Sequence, residues 1–332
     1  MKIGKVPNDI LETLIGKYSP VREEVLVGPG VGRDYAAIDT GGEICVLSSD
    51  PITAAGKNAG RLAVHVAVND AAACGADPIG ILTTILMPEN TPKNKLMKLI
   101  AQISETCGEI GIDVIGGHTE VTGAVNKIII VSTIAARVKK GKMIHISGAK
   151  PGDSIIMTKT AGLEGTSIIA FDNEKYIRRH FGSDFLKTAQ DCINKLSVLK
   201  EGRIAAENSA HSMHDITEGG LQGAVWEMCA ASGTGAEIIM KKVSVSKETA
   251  ILCRHFKIDA LKLISSGSML IACEDGVKMT EVLESNGIAA SVIGTMTETQ
   301  GDINLIKANG KRVLIMMPET DEIYKIAKKR LI

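Results

Sequence analysis

The chain has 332 residues, 45% of them hydrophobic, and 34 glycines, which is the composition of a globular protein large enough for two domains. Lysine plus arginine and aspartate plus glutamate each number 38, so no net field draws in polyanions. With nine aromatic residues (one Trp, four Tyr, four Phe) there is little for base stacking, which argues against nucleic acid as a partner.

No stretch reaches the ~18 uninterrupted apolar residues of a membrane span, and the N-terminus lacks the apolar segment of a signal peptide. The seven cysteines, from Cys45 to Cys273, are scattered and never spaced C-x-x-C, so neither a disulfide framework nor a zinc knuckle is indicated. A cytoplasmic protein with buried thiols is expected.

In chain order the pattern predicts a short helix over Asn8 to Ile15, a strand over Glu43 to Ser48 and a buried helix over Gly60 to Cys74. A buried strand follows at Ile79 to Met87, then a helix at Pro92 to Ile110, and strands at Asp113 to Ile115 and Lys127 to Arg137. The turn cluster Gly148-Ala-Lys-Pro-Gly-Asp153 is the best boundary, giving domains 1–148 and 149–332. Beyond it come a strand at Ser154 to Thr158 and helices at Leu163 to Ala170, Phe185 to Asn208 and Leu221 to Ala231. Strands at Ala236 to Met240, Ser268 to Cys273, Ala289 to Gly294 and Val313 to Met316 frame helices over 246–256, 276–286 and 320–330. The fold class is α+β, two α/β-type layers.

Four clusters put carboxylates into runs of glycine and aliphatic residues: Gly30-Val-Gly-Arg-Asp34, Ser49-Asp50-Pro51, Val68-Asn69-Asp70 and His214-Asp215-Ile-Thr-Glu218-Gly219-Gly220. An unpaired buried charge costs several kcal/mol, so four such clusters point to one site. Singly, each has an ordinary explanation. Asp34 follows a glycine turn, and Asp50 before Pro51 is common turn chemistry. Asp215 with Glu218 has the spacing of a helix cap.

The glycines at 28, 30 and 32 do not complete a G-x-G-x-x-G loop, and no G-x-x-x-x-G-K-[ST] occurs. Arg61, His65 and Asn69 fall at i, i+4 and i+8, a polar stripe on an apolar rod that needs partners in a ligand or in the protein; a ligand is favoured. In Gly116-Gly117-His118-Thr119-Glu120 polar groups are expected to project from a glycine turn, with His118 a base, a phosphate partner or a structural histidine. Gly219 and Gly220 are expected to bare N–H groups for phosphate at a helix start. Thr158-Lys159-Thr-Ala-Gly-Leu-Glu164-Gly-Thr166 repeats the glycine loop before a helix and is a candidate to meet a second substrate.

Taken in order, these segments resemble the aminoimidazole ribonucleotide (AIR) synthetase, or PurM-like, superfamily, and within it the HypE-like and AIR-synthase-related branch. The resemblance runs from Lys5 to about Arg330. It implies an N-terminal domain that dimerises through its sheet into a shared barrel, a C-terminal α/β domain beside it, and ATP with Mg2+ as cofactors. It further implies Asp34, Asp50 and Asp70 as metal ligands. Asp34, Arg61, Asn69, Asp70, Gly116, Gly117, Thr119, Gly219 and Gly220 would bind the nucleotide. His118, Glu120, His214 and Asp215 would serve the chemistry, a phosphoryl transfer to an amide or carbonyl oxygen of a small-molecule substrate. A homodimer and a protein partner in a maturation pathway also follow from it. The chain departs from the pattern at Tyr35, where many relatives have a second aspartate, and at His118, where they often have Asp or Glu. Its last cysteine is Cys273, so the terminal cysteine that carries the HypE carboxamide is unmatched, and the HypE reaction itself is not expected.

Overall fold

The structure, a computed structural model, describes residues 4, 6, 8–15, 20–30, 32–53 and 56–327. The first half contains α1 (Asn8–Ile15), β1 (Val25–Val27), β2 (Ala36–Asp39), β3 (Glu43–Ile52), α2 (Ala59–Ala73), β4 (Asp77–Met87), α3 (Lys93–Ile110), β5 (Asp113–Val121) and β6 (Ile129–Lys139). These strands form one sheet in the order β1-β2-β3-β6-β4-β5. Every pairing is antiparallel except β4 with β5, which α3 joins as a crossover.

The second half contains β7 (Ser154–Thr158), α4 (Leu163–Asp172), α5 (Glu174–Phe181), α6 (Ser183–Asp191), α7 (Leu199–Glu207), β8 (Ser212–Asp215), α8 (Gly220–Ser232), β9 (Gly235–Ile239), α9 (Lys247–Phe256), β10 (Met269–Cys273), α10 (Gly276–Ser285), β11 (Ala290–Thr297), β12 (Ile303–Ile306), β13 (Arg312–Leu314) and α11 (Ile323–Ala327). Its seven strands form a mixed sheet in the order β13-β12-β9-β11-β7-β10-β8. Two α/β domains result, each a mixed sheet with helices. The last residues of the helix expected over 320–330 lie outside the described residues.

Three differences from the sequence pattern bear on function. The strand expected to stop at Ser48 continues through Asp50 and Pro51 to Ile52. Proline is tolerated there because β2 pairs β3 only as far as Leu47, which leaves the backbone at 51 bonded to β6 alone. Gly116 and Gly117 are not a turn but lie inside β5, with φ of 152° and 143°. A Cβ at Gly117 would sit 1.9 Å from Thr83 O on β4, so the glycine is there for close strand packing. Finally, the helix expected over Phe185 to Asn208 is two helices, α6 and α7, joined by a 3-10 turn at Cys192–Lys195.

Helix α2 is apolar on nearly every side and lies buried between the first sheet and the second domain. One continuous core includes Val64, Val68 and Ala71 of α2, Ile130 and Ile134 of β6, Val198 just before α7, Ala205 of α7, and Ile271 of β10. At the crossing of α2 with α7, a Cβ on Gly202 would meet Ala72 O at 2.2 Å, so the two backbones touch.

Candidate active site at the domain seam

The acidic residues converge where β3 and α2 of the first domain meet the end of β8 from the second. Ser48 is the local hub, its hydroxyl 2.6 Å from Asp34 O, 3.4 Å from Asp50 Oδ2, and in hydrogen-bonding contact with Asp70 Oδ2. Asp34 and Asp50 are half-buried, whereas Asp70 is buried. The Asp70 carboxyl is held well above the usual carboxylate range, by burial first and then by the charges of Asp50, Asp215 and Asp34.

From the second domain β8 delivers His214 and Asp215, both buried. His214 Nδ1 lies 3.6 Å from Asp34 Oδ2 and 4.0 Å from Asp215 Oδ1, and Nε2 lies 2.9 Å from Glu227 Oε2 on α8. Burial alone would lower its pKa. Glu227, Asp34 and Asp215 overcome that and raise it to about 9, so the ring is an imidazolium at neutral pH. One side-chain atom from each of Asp34, His214 and Asp215 lies within 4.8 Å of the others, and with His214 held as an imidazolium the two carboxylates are the groups able to ligate a cation.

Other expected site residues lie elsewhere, each for a visible reason. The stripe on α2 faces the domain seam and α3 instead of a ligand. Asn69 Nδ2 donates to Leu196 O at 2.8 Å and its Oδ1 accepts from Val198 N at 3.0 Å, which occupies the amide on both sides. Arg61 pairs with Glu109 of α3 at 2.8 Å. His65 is buried with neither ring nitrogen hydrogen-bonded among the described residues, and burial pushes its pKa down to about 3, so it is a neutral core histidine.

Gly116, Gly117, His118, Thr119 and Glu120 lie on the edge strand β5, exposed. In register, Asp50 faces Ser132, Ser132 faces Thr83, and Thr83 faces Gly117. At roughly 4.8 Å per strand this separates Gly117 from Asp50 by about 14 Å. Within one chain, His118 and Glu120 therefore stay away from the acidic cluster and pair with each other, Nε2 to Oε2, at 3.5 Å.

Gly219 and Gly220 do open α8, but they bare no N–H to a ligand. The Gly219 N–H donates to Asp321 Oδ2 at 2.8 Å, and the Gly220 N–H donates to Thr217 O at 3.0 Å. A carboxylate from the last part of the chain thus fills the anion position at this helix start. At the position where another aspartate was expected, Tyr35 turns into the core, its hydroxyl donating to Ile144 O at 3.1 Å.

Ser48, Glu227 and Asp321 escaped sequence reasoning. Glu227 left one trace, a lone carboxylate in the apolar helical run Leu221 to Ala231. Ser48 and Asp321 left none.

Both domains match known sequence profiles: residues 32–138 the AIR synthase related protein N-terminal domain, and residues 150–306 its C-terminal domain. The chain belongs to the AIR synthase related, PurM-like family. It is 31% identical to a Methanocaldococcus jannaschii protein named for hydrogenase expression and formation, over 97% of each chain. It also shares the fold of HypE in a HypE–HypF complex, with a TM-score of 0.76, 22% identity and coverage of 93% of this chain and 99% of that one. A hydrogenase maturation protein HypE solved in complex with ATP gives a TM-score of 0.69 at 21% identity, covering 95% and 92%.

Proposed function

We propose that this protein is an ATP- and Mg2+-dependent enzyme that transfers a phosphoryl group to an amide or carbonyl oxygen of a small molecule. The observation that carries the reading is the meeting of Asp34, Asp50 and Asp70 with Asp215 from the other domain. Four carboxylates pressed together, to the point that Asp70 is driven toward its neutral form, leave the cluster short of positive charge. Oxygen-rich donor sets of this kind suit Mg2+, which takes a few carboxylates and completes its shell with phosphate and water. Asp34, Asp50 and Asp70 would hold the ion, with Asp215 beside them. Bound there, Mg2+ neutralises phosphate charge. ATP enters the proposal from the family, through the ATP-bound HypE.

The chain's own groups then orient and stabilise. His214, kept protonated by Glu227, brings a positive charge from the second domain to the edge of the cluster. Ser48 fixes Asp70 against Asp34 and Asp50. Phosphoryl transfer depends on such positioning and charge neutralisation more than on a protein nucleophile.

The active form in this reading is a homodimer. Every residue of β5 is exposed, and Ile79 and Leu82 of β4 with Val114, Ile115 and Val121 of β5 leave an apolar strip uncovered. A long uncovered edge strand of this kind calls for a partner. A second copy across the strip would bring Gly116 to Glu120 of one protomer toward the other's cleft.

Titration calorimetry with ATP and Mg2+ tests the core of the proposal, since absence of binding by folded protein would sink it. Phosphate release in the presence of small amides and carbonyl compounds tests turnover. A second reading, a nucleotide-binding partner in hydrogenase maturation without turnover, is favoured by Tyr35, whose burial removes one expected metal ligand. The solved HypE–HypF complex supports the partner. Nucleotide binding with no acceptor-stimulated phosphate release would select this second reading.

A further inference from the structure

Ser132, in the middle of β6, is fully buried, and its Oγ has no hydrogen-bond partner among the described residues. The strand register fixes its surroundings. Ser132 pairs with Asp50 of β3 on one side and with Thr83 of β4 on the other. Buried residues alternate along β6 as Ile130, Ser132, Ile134 and Ala136, so Ser132 lies on the face that α2 covers. Asp50 shares that face, because Ser48, two residues before it on β3, points to α2 and meets Asp70 there.

A buried hydroxyl without a partner weakens a fold, and packing alone would favour an aliphatic residue, as at Ile130 and Ile134 on either side. Directly opposed strand residues hold their Cβ atoms about 4.5–5.5 Å apart, a gap that a serine hydroxyl and an aspartate carboxylate can close by side-chain rotation. In this structure Asp50 turns instead to Ser48, at a long 3.4 Å, and to Asp70. Neither contact serves it well once a cation is bound. Ser48 has a single hydrogen, and Asp34 O at 2.6 Å is far nearer to it. A cation held by both Asp50 and Asp70 takes the place of the bond between them. Asp50 is then a carboxylate short of a donor, and Ser132 opposite is a donor short of an acceptor.

We infer that Ser132 is a positioning residue for Asp50: with a divalent cation bound, the Ser132 hydroxyl donates to the Asp50 oxygen turned away from the ion and fixes the carboxylate in its ligating orientation. Hydrogen bonds behind metal-ligating carboxylates tune affinity in this way. In the cation-free chain the hydroxyl stands unpaired at some loss of stability, and binding recovers that loss. The inference rests on the reading in which Asp50 ligates Mg2+, and it adds to that site a residue that touches neither metal nor nucleotide.

The test titrates Mg2+ into the chelator-treated full chain at saturating ATP and reads the midpoint of the rise in melting temperature. Ser132→Ala should raise that midpoint about tenfold, the effect of removing a donor behind a metal ligand. Without Mg2+ the same variant should melt no lower than wild type, because it loses an unpaired hydroxyl and no bond. Ser132→Thr and Ser132→Val share one shape and differ in the hydroxyl, so any strain is common to both. Ser132→Thr should keep the wild-type midpoint within about twofold, while Ser132→Val should follow Ser132→Ala. An unchanged midpoint in Ser132→Ala, or equal midpoints in Ser132→Thr and Ser132→Val, would overturn the role of Ser132 and leave the Mg-ATP reading standing. A wild type whose melting temperature ignores Mg2+ would overturn that reading and the inference with it.

Discussion

His214 Nε2 stands 2.9 Å from Glu227 Oε2, an ion pair sealed between β8 and α8 with both side chains buried. The pair holds the imidazole in its charged form on the second-domain side of the acidic cluster. Neither residue can change without exposing the other's charge to an apolar surrounding.

The pH dependence follows from this pair. His214 is raised from 6.5 to about 9, so its contribution is complete below the lower value and is lost as pH climbs through the higher one. Glu164, raised from 4.5 to about 7 by burial, loses stability in the same direction but over a lower window, between those two values. In chelator-treated protein the melting temperature should fall between pH 7 and 9, by the equivalent of about 1–3 kcal/mol. His214→Gln should be less stable than wild type at pH 6, by about 2–4 kcal/mol, and show a shallower fall above it. A thermal melt series over pH checks both; a stability that rises from pH 7 to 9 would contradict the assignment.

Asp70→Asn should separate function from stability. Asp70 is already pushed toward its neutral form, and an asparagine oxygen can still accept from Ser48. The melting temperature should stay within about 1 kcal/mol equivalent of wild type, while Mg-ATP binding weakens at least about tenfold. Calorimetric titration beside a melting curve reads both. A large stability loss with unchanged binding would make Asp70 a structural residue.

Asn69→Ala should do the reverse. Removing the amide strands Leu196 O and Val198 N in a buried seam, at a cost of about 2–4 kcal/mol. Nucleotide affinity in protein that remains folded should change little. Denaturant unfolding gives the first quantity, and a binding loss larger than the stability loss would return Asn69 to the nucleotide.

Gly117→Ala should detach β5. The added carbon would lie 1.9 Å from Thr83 O, which the strand pair can relieve only by separating. Amide exchange along residues 113–121 should rise sharply while the second domain stays protected. Normal protection of that strand would contradict the register.

Ile115→Arg tests the uncovered strip. Ile115 is half exposed at the edge of the sheet, so the change should cost little in monomer stability. Sedimentation should shift from dimer to monomer. A wild type that sediments as a monomer at all concentrations would remove the dimer from the proposal.

The gathering of charges was legible in the sequence, because Asp34, Asp50, Asp70 and Asp215 sit in apolar runs where a lone carboxylate has no local excuse. The partners of the other polar groups were not. Asn69 meets residues 127 and 129 positions away, and Gly219 meets Asp321 at a separation of 102. Local spacing carries no signal over such distances. The paired glycines at 116 and 117 misled for a related reason. Turn chemistry and close strand packing both call for glycine, and only the neighbouring strand tells them apart.

The backbone contact between Gly202 and Ala72, with one core running through both domains, has a kinetic consequence. A molecule welded along this seam cannot admit a substrate by swinging one lobe away from the other, because that motion would tear open its interior. Traffic into the cleft is left to its rim, where Gly32 and Asp34 lie against Glu227 and His214, and the speed of product departure should answer to changes there. Loosening agents that leave the core intact should then quicken release, and changes at the seam should unfold the whole chain in one step without altering the rate of exchange beforehand.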